Sequence, residues 1–153
     1  MCPSMKDSVR KPDVAATQVA PEPDPTDYRL IADFRSALRE FQSISTQILK
    51  QAGVTSLQYH ALVEIRVFRE RHEADISVGQ LAIQMRLRHN TAVSLIDGLE
   101  AQGCVQRARS AKDNRVKDIR LTAKGALMLR QLAAEHRQQL GHMHAIFSAI
   151  FAR

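Results

Sequence analysis

The chain has 153 residues, 44% of them hydrophobic, and a formal net charge of +6, so it can build one packed domain but hardly two. Its two cysteines exclude a disulfide framework, and the lack of a CxxC pair argues against a zinc knuckle. No apolar run reaches the length of a signal peptide or a membrane span. The sequence therefore predicts a cytoplasmic protein that does not enter a membrane.

Charge and proline are distributed unevenly along the chain. Residues 1–27 contain three basic and five acidic side chains, a net charge of −2, which leaves +8 on the remaining 126 residues. All five prolines lie within the first 25 residues. We therefore expect a disordered tail over residues 1–26 and one domain over residues 27–153. The basic excess of that domain favours a polyanionic partner, above all nucleic acid.

Apolar residues at helical spacing predict a long first helix, which starts near Thr26 and ends near Gly53. Its apolar stripe is Leu30, Phe34, Leu38, Phe41 and Ile48. A possible capping box, Thr55 with Gln58, predicts the start of a second helix. The expected buried face of that helix is Leu57, Ala61, Leu62, Ile65 and Phe68.

A second possible capping box, Ser77 with Gln80, predicts a third helix whose inward residues are Leu81, Ala82 and Met85. A fourth helix is predicted over about 90–102. Its core residues recur at i, i+3, i+4 and i+7 and are Ala92, Leu95, Ile96 and Leu99. That spacing exposes a small polar face on the opposite side, made by Asn90, Ser94 and Asp97.

After Gly103 the apolar period changes to two, which predicts paired strands at 105–109 and 117–121 joined by a basic loop. Thr122 can cap a last helix. Its apolar seam alternates spacings of three and four, as in a dimer interface, and comprises Leu129, Leu132, His136, Leu140, Met143, Phe147 and Ile150.

Two short helices followed by a basic hairpin are the parts of a winged helix-turn-helix, and here the sequence resembles the MarR family of bacterial transcription regulators. The residues that carry the resemblance are QLA at 80–82, TAVSLIDGLE at 91–100, QGCV at 102–105, DNR at 113–115 and IRLT at 119–122 with Gly125. The similarity extends over about 28–140.

The resemblance implies a mainly α fold with a small β-hairpin wing. The dimerisation helices would lie at 28–53 and 123–153, and the DNA-binding lobe at 55–122. It also implies a homodimer that binds double-stranded DNA and no enzymatic activity. Many members are repressors that a small aromatic ligand or thiol oxidation releases from DNA.

The sequence departs from the family pattern in three places. Arg86 stands in the turn where the family often has glycine, which costs roughly 1 kcal/mol if that residue is left-handed. Arg88 replaces the usual capping residue, so we expect Asn90 to cap a shorter recognition helix. Only 31 residues follow Thr122, so we expect a short last helix.

The recognition helix is predicted to enter the major groove of DNA, where Asn90 can bind adenine and Val93 can contact a thymine methyl group. The residues assigned to this contact are Arg88, His89, Asn90, Thr91, Val93 and Ser94. The alternative is that Asn90 only caps the helix and Ser94 is simply exposed. We interpret Asp97, which would repel phosphate, as the partner of an arginine within the protein.

The wing is predicted to place Arg115 in a narrow minor groove, with Asp113 holding its guanidinium extended. The wing residues assigned to DNA are Arg109, Lys112, Asp113, Arg115 and Lys117. Arg107 is expected to join the phosphate contacts. The alternative is a solvated charged turn.

A weak effector pocket is predicted from aromatic and apolar residues of the first two helices, namely Phe34, Leu38, Phe41, Tyr59 and Leu62. The alternative is that all five belong to the ordinary core. Cys104 is expected to be a buried, inert thiol. No metal-ligand spacing, nucleotide-binding loop or catalytic motif is present, so we predict no cofactor and no metal.

These observations favour a sequence-specific regulator, a repressor in the first instance, that binds a pseudo-palindromic operator as a homodimer. Two other functions remain compatible with the sequence. One is a winged-helix module that binds a protein rather than DNA. The other is an architectural DNA binder that relies on charge alone and has no sequence preference.

Overall fold

The computed structural model describes residues 24–110 and 117–152. Its elements are α1 (Pro25–Gln51), α2 (Ser56–His72), β1 (Ile76–Ser77), α3 (Val78–Gln84), α4 (His89–Ala101), β2 (Val105–Arg109), β3 (Lys117–Leu121) and α5 (Ala123–Phe151). The three strands form one antiparallel sheet in which β3 lies between β1 and β2. This arrangement confirms a mainly α fold with a hairpin wing, and β1 is a strand that the sequence pattern did not reveal.

Capping boxes begin α2 and α3, as the sequence predicted. The Thr55 hydroxyl accepts a hydrogen bond from the backbone N–H of Gln58 at 3.2 Å, and the Gln58 side chain accepts one from the N–H of Thr55 at 2.9 Å. Ser77 and Gln80 repeat this exchange at 3.2 and 3.0 Å. Helix α1 has a capping box of its own around Asp24, which sequence analysis missed. Each box satisfies backbone donors that would otherwise lack a partner.

The core of the lobe formed by α2 to β3 is closed within one chain. All four predicted core residues of α4 are at most 9% exposed, and so are Ala61, Leu62, Ile65 and Phe68 of α2. Leu57, in the first turn of α2, is 38% exposed, so the buried face begins one turn later than predicted. Ile76 and Ile119, paired across β1 and β3, complete the core at 0% exposure.

Helices α1 and α5 form an antiparallel pair. The Phe34 and Phe147 rings stack with centroids 5.3 Å apart, and the Ser45 hydroxyl lies 2.9 Å from Nε2 of His136. The prediction of a short last helix is wrong, because α5 spans 29 residues behind the Thr122 cap without a proline to stop it.

The apolar stripe predicted for α1 is only partly buried. Phe34 and Leu38 remain 39% and 37% exposed, whereas Ala37 and Leu49 are the residues of α1 that are buried. None of the five predicted residues is fully buried within one chain, and the two buried residues of α1 were not among those predicted.

His136, which the sequence placed in a dimer seam, is instead buried where α1, α2 and α5 meet. Its Nδ1 lies 2.7 Å from the carbonyl oxygen of Leu132, and its ring stacks on Tyr59 with centroids 4.7 Å apart. The stacking on Tyr59 joins the helix pair to the lobe, while the Ser45 contact joins the two helices of the pair.

The start of α5 fits tightly against the turn between α4 and β2. The backbone N–H of Thr122 donates to the carbonyl oxygen of Cys104 at 3.0 Å, and the Thr122 hydroxyl accepts from the N–H of Gly125 at 3.0 Å. A Cβ atom at Gly125 would stand 1.9 Å from the Cys104 carbonyl oxygen, so this position requires glycine. Cys104 itself is a free thiol at 0% exposure, as predicted.

No helix within the described ranges is long and apolar enough to cross a membrane.

Candidate nucleic-acid interface

Helix α4 presents a polar face opposite its buried one. The helix begins at His89, and its N-cap residue Arg88 makes no side-chain capping hydrogen bond. The expectation that Asn90 caps a shorter helix is therefore wrong, since Asn90 lies inside the first turn. The side chains of Asn90, Thr91 and Ser94 are exposed because the apolar side of the helix points into the core.

The other residues assigned to this helix surround that face. Arg88 and His89 are exposed at the start of the helix, and Val93 is half-buried. Small polar side chains with flanking cations suit a helix that approaches the edges of base pairs.

The turn between α3 and α4 contains an arginine in the left-handed region. Arg86 has a φ of +53°, and its backbone N–H donates to the carbonyl oxygen of Ile83 at 3.1 Å. A residue with a Cβ in this conformation costs about 1 kcal/mol relative to glycine. The departure from glycine noted in the sequence is thus a real strain in the turn, and the Arg86 side chain is exposed beside α4.

The wing strands β2 and β3 pair from Val105 opposite Leu121 to Arg109 opposite Lys117. Arg109 and Lys117 are both exposed at the end of this ladder. Two cations therefore flank the loop that joins the strands. The remaining wing assignments, Lys112, Asp113 and Arg115, lie outside the described residues.

An ion-pair network connects the wing to α4. The Arg107 guanidinium on β2 donates to the Asp97 carboxylate at 2.6 Å and also binds the Glu100 carboxylate. Burial alone would lower the pKa of Arg107, but hydrogen bonds to these two carboxylates and their charges raise it above its ordinary value. The interpretation of Asp97 as the partner of an arginine is confirmed. Arg107 is committed to these acids and is no longer assigned to DNA phosphates.

The predicted effector residues have different surroundings in the structure. Leu62 is fully buried in the lobe core, Tyr59 stacks on His136, and Phe34 stacks on Phe147. Of the other two, Leu38 is 37% exposed and Phe41 is half-buried with its ring edge toward His136. For Leu62 the alternative of an ordinary core residue is the one that the structure supports.

A different cavity, of about 600 Å³, opens between α2, β3 and α5. Its polar lining consists of Arg66, Arg69, Asp75, Arg120 and Arg130, and its apolar lining consists of Ile65, Leu121, Ala126, Leu129 and Ala133. Sequence reasoning missed this arginine cavity because its residues come from four separate segments.

Asp75 organises two of the arginines in this cavity. Its carboxylate binds Arg69, and its other oxygen lies 3.1 Å from Nε of Arg120. That Nε is buried and not aligned for a hydrogen bond, so its attraction to Asp75 is one of charge alone. The cavity therefore keeps an excess of positive charge and one buried donor without a hydrogen-bond partner.

Within the described ranges, no group of three or more histidine, cysteine, aspartate or glutamate side chains is arranged to hold a metal ion.

The exposed helix, its turn and the adjoining hairpin together define a winged helix-turn-helix protein. Residues 52–115 match the family model described as MarR family. Over these residues the chain is similar to the MarR family of transcriptional regulators.

Named relatives agree with this assignment. The chain is 26% identical over 122 residues to the uncharacterised HTH-type transcriptional regulator YsmB of Bacillus subtilis, covering 77% of this chain and 80% of YsmB. It is 26% identical over 110 residues to the HTH-type transcriptional repressor MdtR of the same organism, covering 69% of this chain and 68% of MdtR. The fold is similar to that of MepR in the Staphylococcus aureus MepR–DNA complex. That match has a TM-score of 0.61 and 22% identity and covers 78% of this chain and 95% of MepR.

Proposed function

We propose that this protein is a cytoplasmic repressor that binds a pseudo-palindromic operator as a homodimer and is released by a small aromatic ligand. The observation that carries the proposal is that one face of α4 is buried and the opposite face is exposed. Its apolar face is fixed in a closed core, while Asn90, Thr91 and Ser94 are exposed beside a basic wing. A rigid helix with an exposed polar face can read base edges in the major groove.

The two faces of the interface have separate roles. The Asn90 amide binds adenine through two hydrogen bonds, and Val93 contacts a thymine methyl group at the edge of the helix. Thr91, Ser94 and His89 complete the base-facing surface.

Cations around this surface position the protein on the DNA without reading sequence. Arg88, Arg109, Lys112 and Lys117 bind phosphates, and Arg115 enters the minor groove, where the negative potential of A·T-rich DNA is strongest. Asp113 holds the Arg115 guanidinium extended. Support for the wing contact comes from the paired cations at Arg109 and Lys117, which bring basic charge to the end of the hairpin.

A second copy of the chain supplies the other half of the DNA-binding surface and packs against the helix pair. Tyr28 and Ile31 on α1 and Leu140 on α5 are 57%, 52% and 57% exposed. Large apolar side chains exposed on two paired helices favour burial against another molecule. In a symmetric dimer the two α4 helices would contact half-sites about 10 bp apart.

Two relatives support the DNA-binding and repressor roles. MdtR is described as a transcriptional repressor, and MepR is seen in complex with DNA.

The experiment that tests DNA recognition is the selection of bound fragments from genomic DNA, followed by affinity measurements on the recovered site. We expect an inverted repeat. Asn90→Ala and Arg115→Ala should each weaken binding to it by about 1–3 kcal/mol. Arg39→Ala, which removes an exposed cation from α1, is the matched control and should have a much smaller effect. Equal affinity for the recovered site and a scrambled duplex would indicate an architectural binder, and no DNA binding would leave the protein-interaction module.

The arginine cavity is the proposed effector site, because its apolar lining suits an aromatic ring and its cations suit an acidic group. Benzoate should raise the melting temperature and weaken operator binding at millimolar concentration, whereas neutral benzamide should do neither. Arg120→Met should abolish the benzoate effect. Equal responses to both compounds would contradict a charged effector site.

A further inference from the structure

Several interactions hold Arg107 in place at the interface. Its side chain is 19% exposed, whereas those of its partners Asp97 and Glu100 are 59% and 40% exposed. In addition to its two ion pairs, its backbone N–H donates to Oε1 of Glu100 at 3.2 Å. Three hydrogen bonds thus join one residue of β2 to one face of α4, where Asp97 and Glu100 lie three residues apart.

The two carboxylates are in an unfavourable place for a DNA-binding protein. Both lie on α4, the helix proposed to read DNA, and both are partly exposed. A single guanidinium compensates one of their two negative charges, so the network keeps a net charge of −1. By charge alone, these acids weaken DNA binding. Their contribution must therefore be to geometry rather than to attraction.

The planar guanidinium explains why arginine suits this role. It offers five donors in a rigid fork, so it can bind two carboxylates at once in one fixed orientation. Lysine carries the same charge on a flexible stem and cannot reproduce this arrangement. The network therefore fixes the position of β2 relative to α4 more tightly than a simple ion pair would.

We propose that Arg107 is a positioning residue for DNA recognition, which holds the wing against α4 so that the helix and the wing loop reach the same operator together. The inference rests on the proposed function, because it requires both elements to contact DNA. Two linked contacts strengthen each other only when their geometry permits both at once. A displaced wing would turn one bivalent contact into two separate weak ones.

Glu100→Gln tests the sign of this effect. The substitution removes a negative charge near DNA, so charge alone predicts tighter binding to every duplex. Positioning predicts instead that the ratio of operator affinity to scrambled-duplex affinity falls by about tenfold. Glu70→Gln is the matched control, since it removes the same charge from the exposed Arg66–Glu70 pair on α2. An unchanged ratio in Glu100→Gln would overturn the proposal.

A double-mutant cycle tests the coupling between the network and the wing. Arg115→Ala should lower operator affinity by about tenfold in the wild-type protein but by less than about twofold in the Arg107→Lys background. A network that contributes only to stability would leave the same factor in both backgrounds, and that result contradicts positioning. Should Arg107→Lys fail to fold by circular dichroism, Asp97→Asn provides the background instead.

Different results would contradict the proposed function and the positioning role of Arg107. A wild-type protein without preference for any duplex contradicts the proposed function, and the inference with it. A wild-type protein that prefers an operator, together with unchanged ratios in the variants, contradicts the positioning role alone.

Discussion

The lobe and the helix pair bury their apolar residues to very different extents. In the lobe, Leu62, Ile96 and Ile119 are 0% exposed, and the core is complete within one chain. In the helix pair, the 27 residues of α1 include only two buried ones, Ala37 and Leu49. The lobe core is thus closed within one chain, with Leu129 of α5 as a member, whereas α1 keeps apolar surface exposed.

Substitution of one leucine in each region tests this difference in burial and has the largest expected effect. Leu62→Ala removes a fully buried side chain and should cost about 2–5 kcal/mol of unfolding free energy at any protein concentration. Leu140→Ala removes one that is 57% exposed and should change the stability of a single chain little. Urea denaturation at two protein concentrations measures both. Equal losses of unfolding free energy in the two variants, at both protein concentrations, would contradict the difference between the regions.

The junction between the regions is tested by a pair of glycines in α5. Gly125→Ala forces a Cβ against the Cys104 carbonyl and should destabilise the protein by about 3 kcal/mol, because backbone must move. Gly141→Ala has nothing within 4 Å and should stabilise α5 by up to about 1 kcal/mol, because alanine favours the helix. Thermal unfolding compares the two variants, and a stable Gly125→Ala protein would mean that the junction is looser than described.

A charge on the helix pair should separate the two copies. Ile31→Glu places a carboxylate at a residue that is 52% exposed, and we expect dimer affinity to fall by about tenfold or more. The control is Ile83→Glu in the lobe, where the side chain is 79% exposed. Sedimentation at micromolar concentration reports the change. A dimer that survives the first substitution but not the second would place the interface in the lobe.

The smallest expected effect is a loss of stability at high pH, caused by Tyr59, which lies between the lobe and the helix pair. Burial raises the pKa of Tyr59 above its ordinary value of 10.0, so the folded protein holds this proton more tightly than the unfolded chain. Its contribution to stability is complete below about pH 10 and is lost as the pH rises through the folded pKa. Tyr59→Phe should remove this loss from urea titrations, whereas Tyr28→Phe, at a tyrosine that is 57% exposed, should not.

Local patterns predicted the lobe well. The capping boxes at Thr55 and Ser77 depend on residues three apart, and the buried face of α4 depends on helical spacing alone. The bounds of both wing strands also follow from a period of two. The pairing of Asp97 with an arginine was predictable because an acid on a DNA-binding helix needs a partner.

Features that depend on distant segments were harder to predict. The arginine cavity combines α2, β3 and α5, and His136 was assigned to the wrong interface because spacing cannot say which helix a seam faces. Phe34 and Leu38 lie on the apolar face predicted for α1, yet they are 39% and 37% exposed within one chain. Helical spacing therefore identifies an apolar face but does not distinguish burial within a chain from burial between chains.

The buried histidine has a mechanical consequence. His136 on α5 contacts Ser45 on α1 through its Nε2 and lies flat against Tyr59 on α2. A tilt of α5 must either carry α2 with it or separate the His136 and Tyr59 rings. Close-packed interiors resist such separation, so rotation of the long helices should turn the DNA-binding lobe with them as a rigid body.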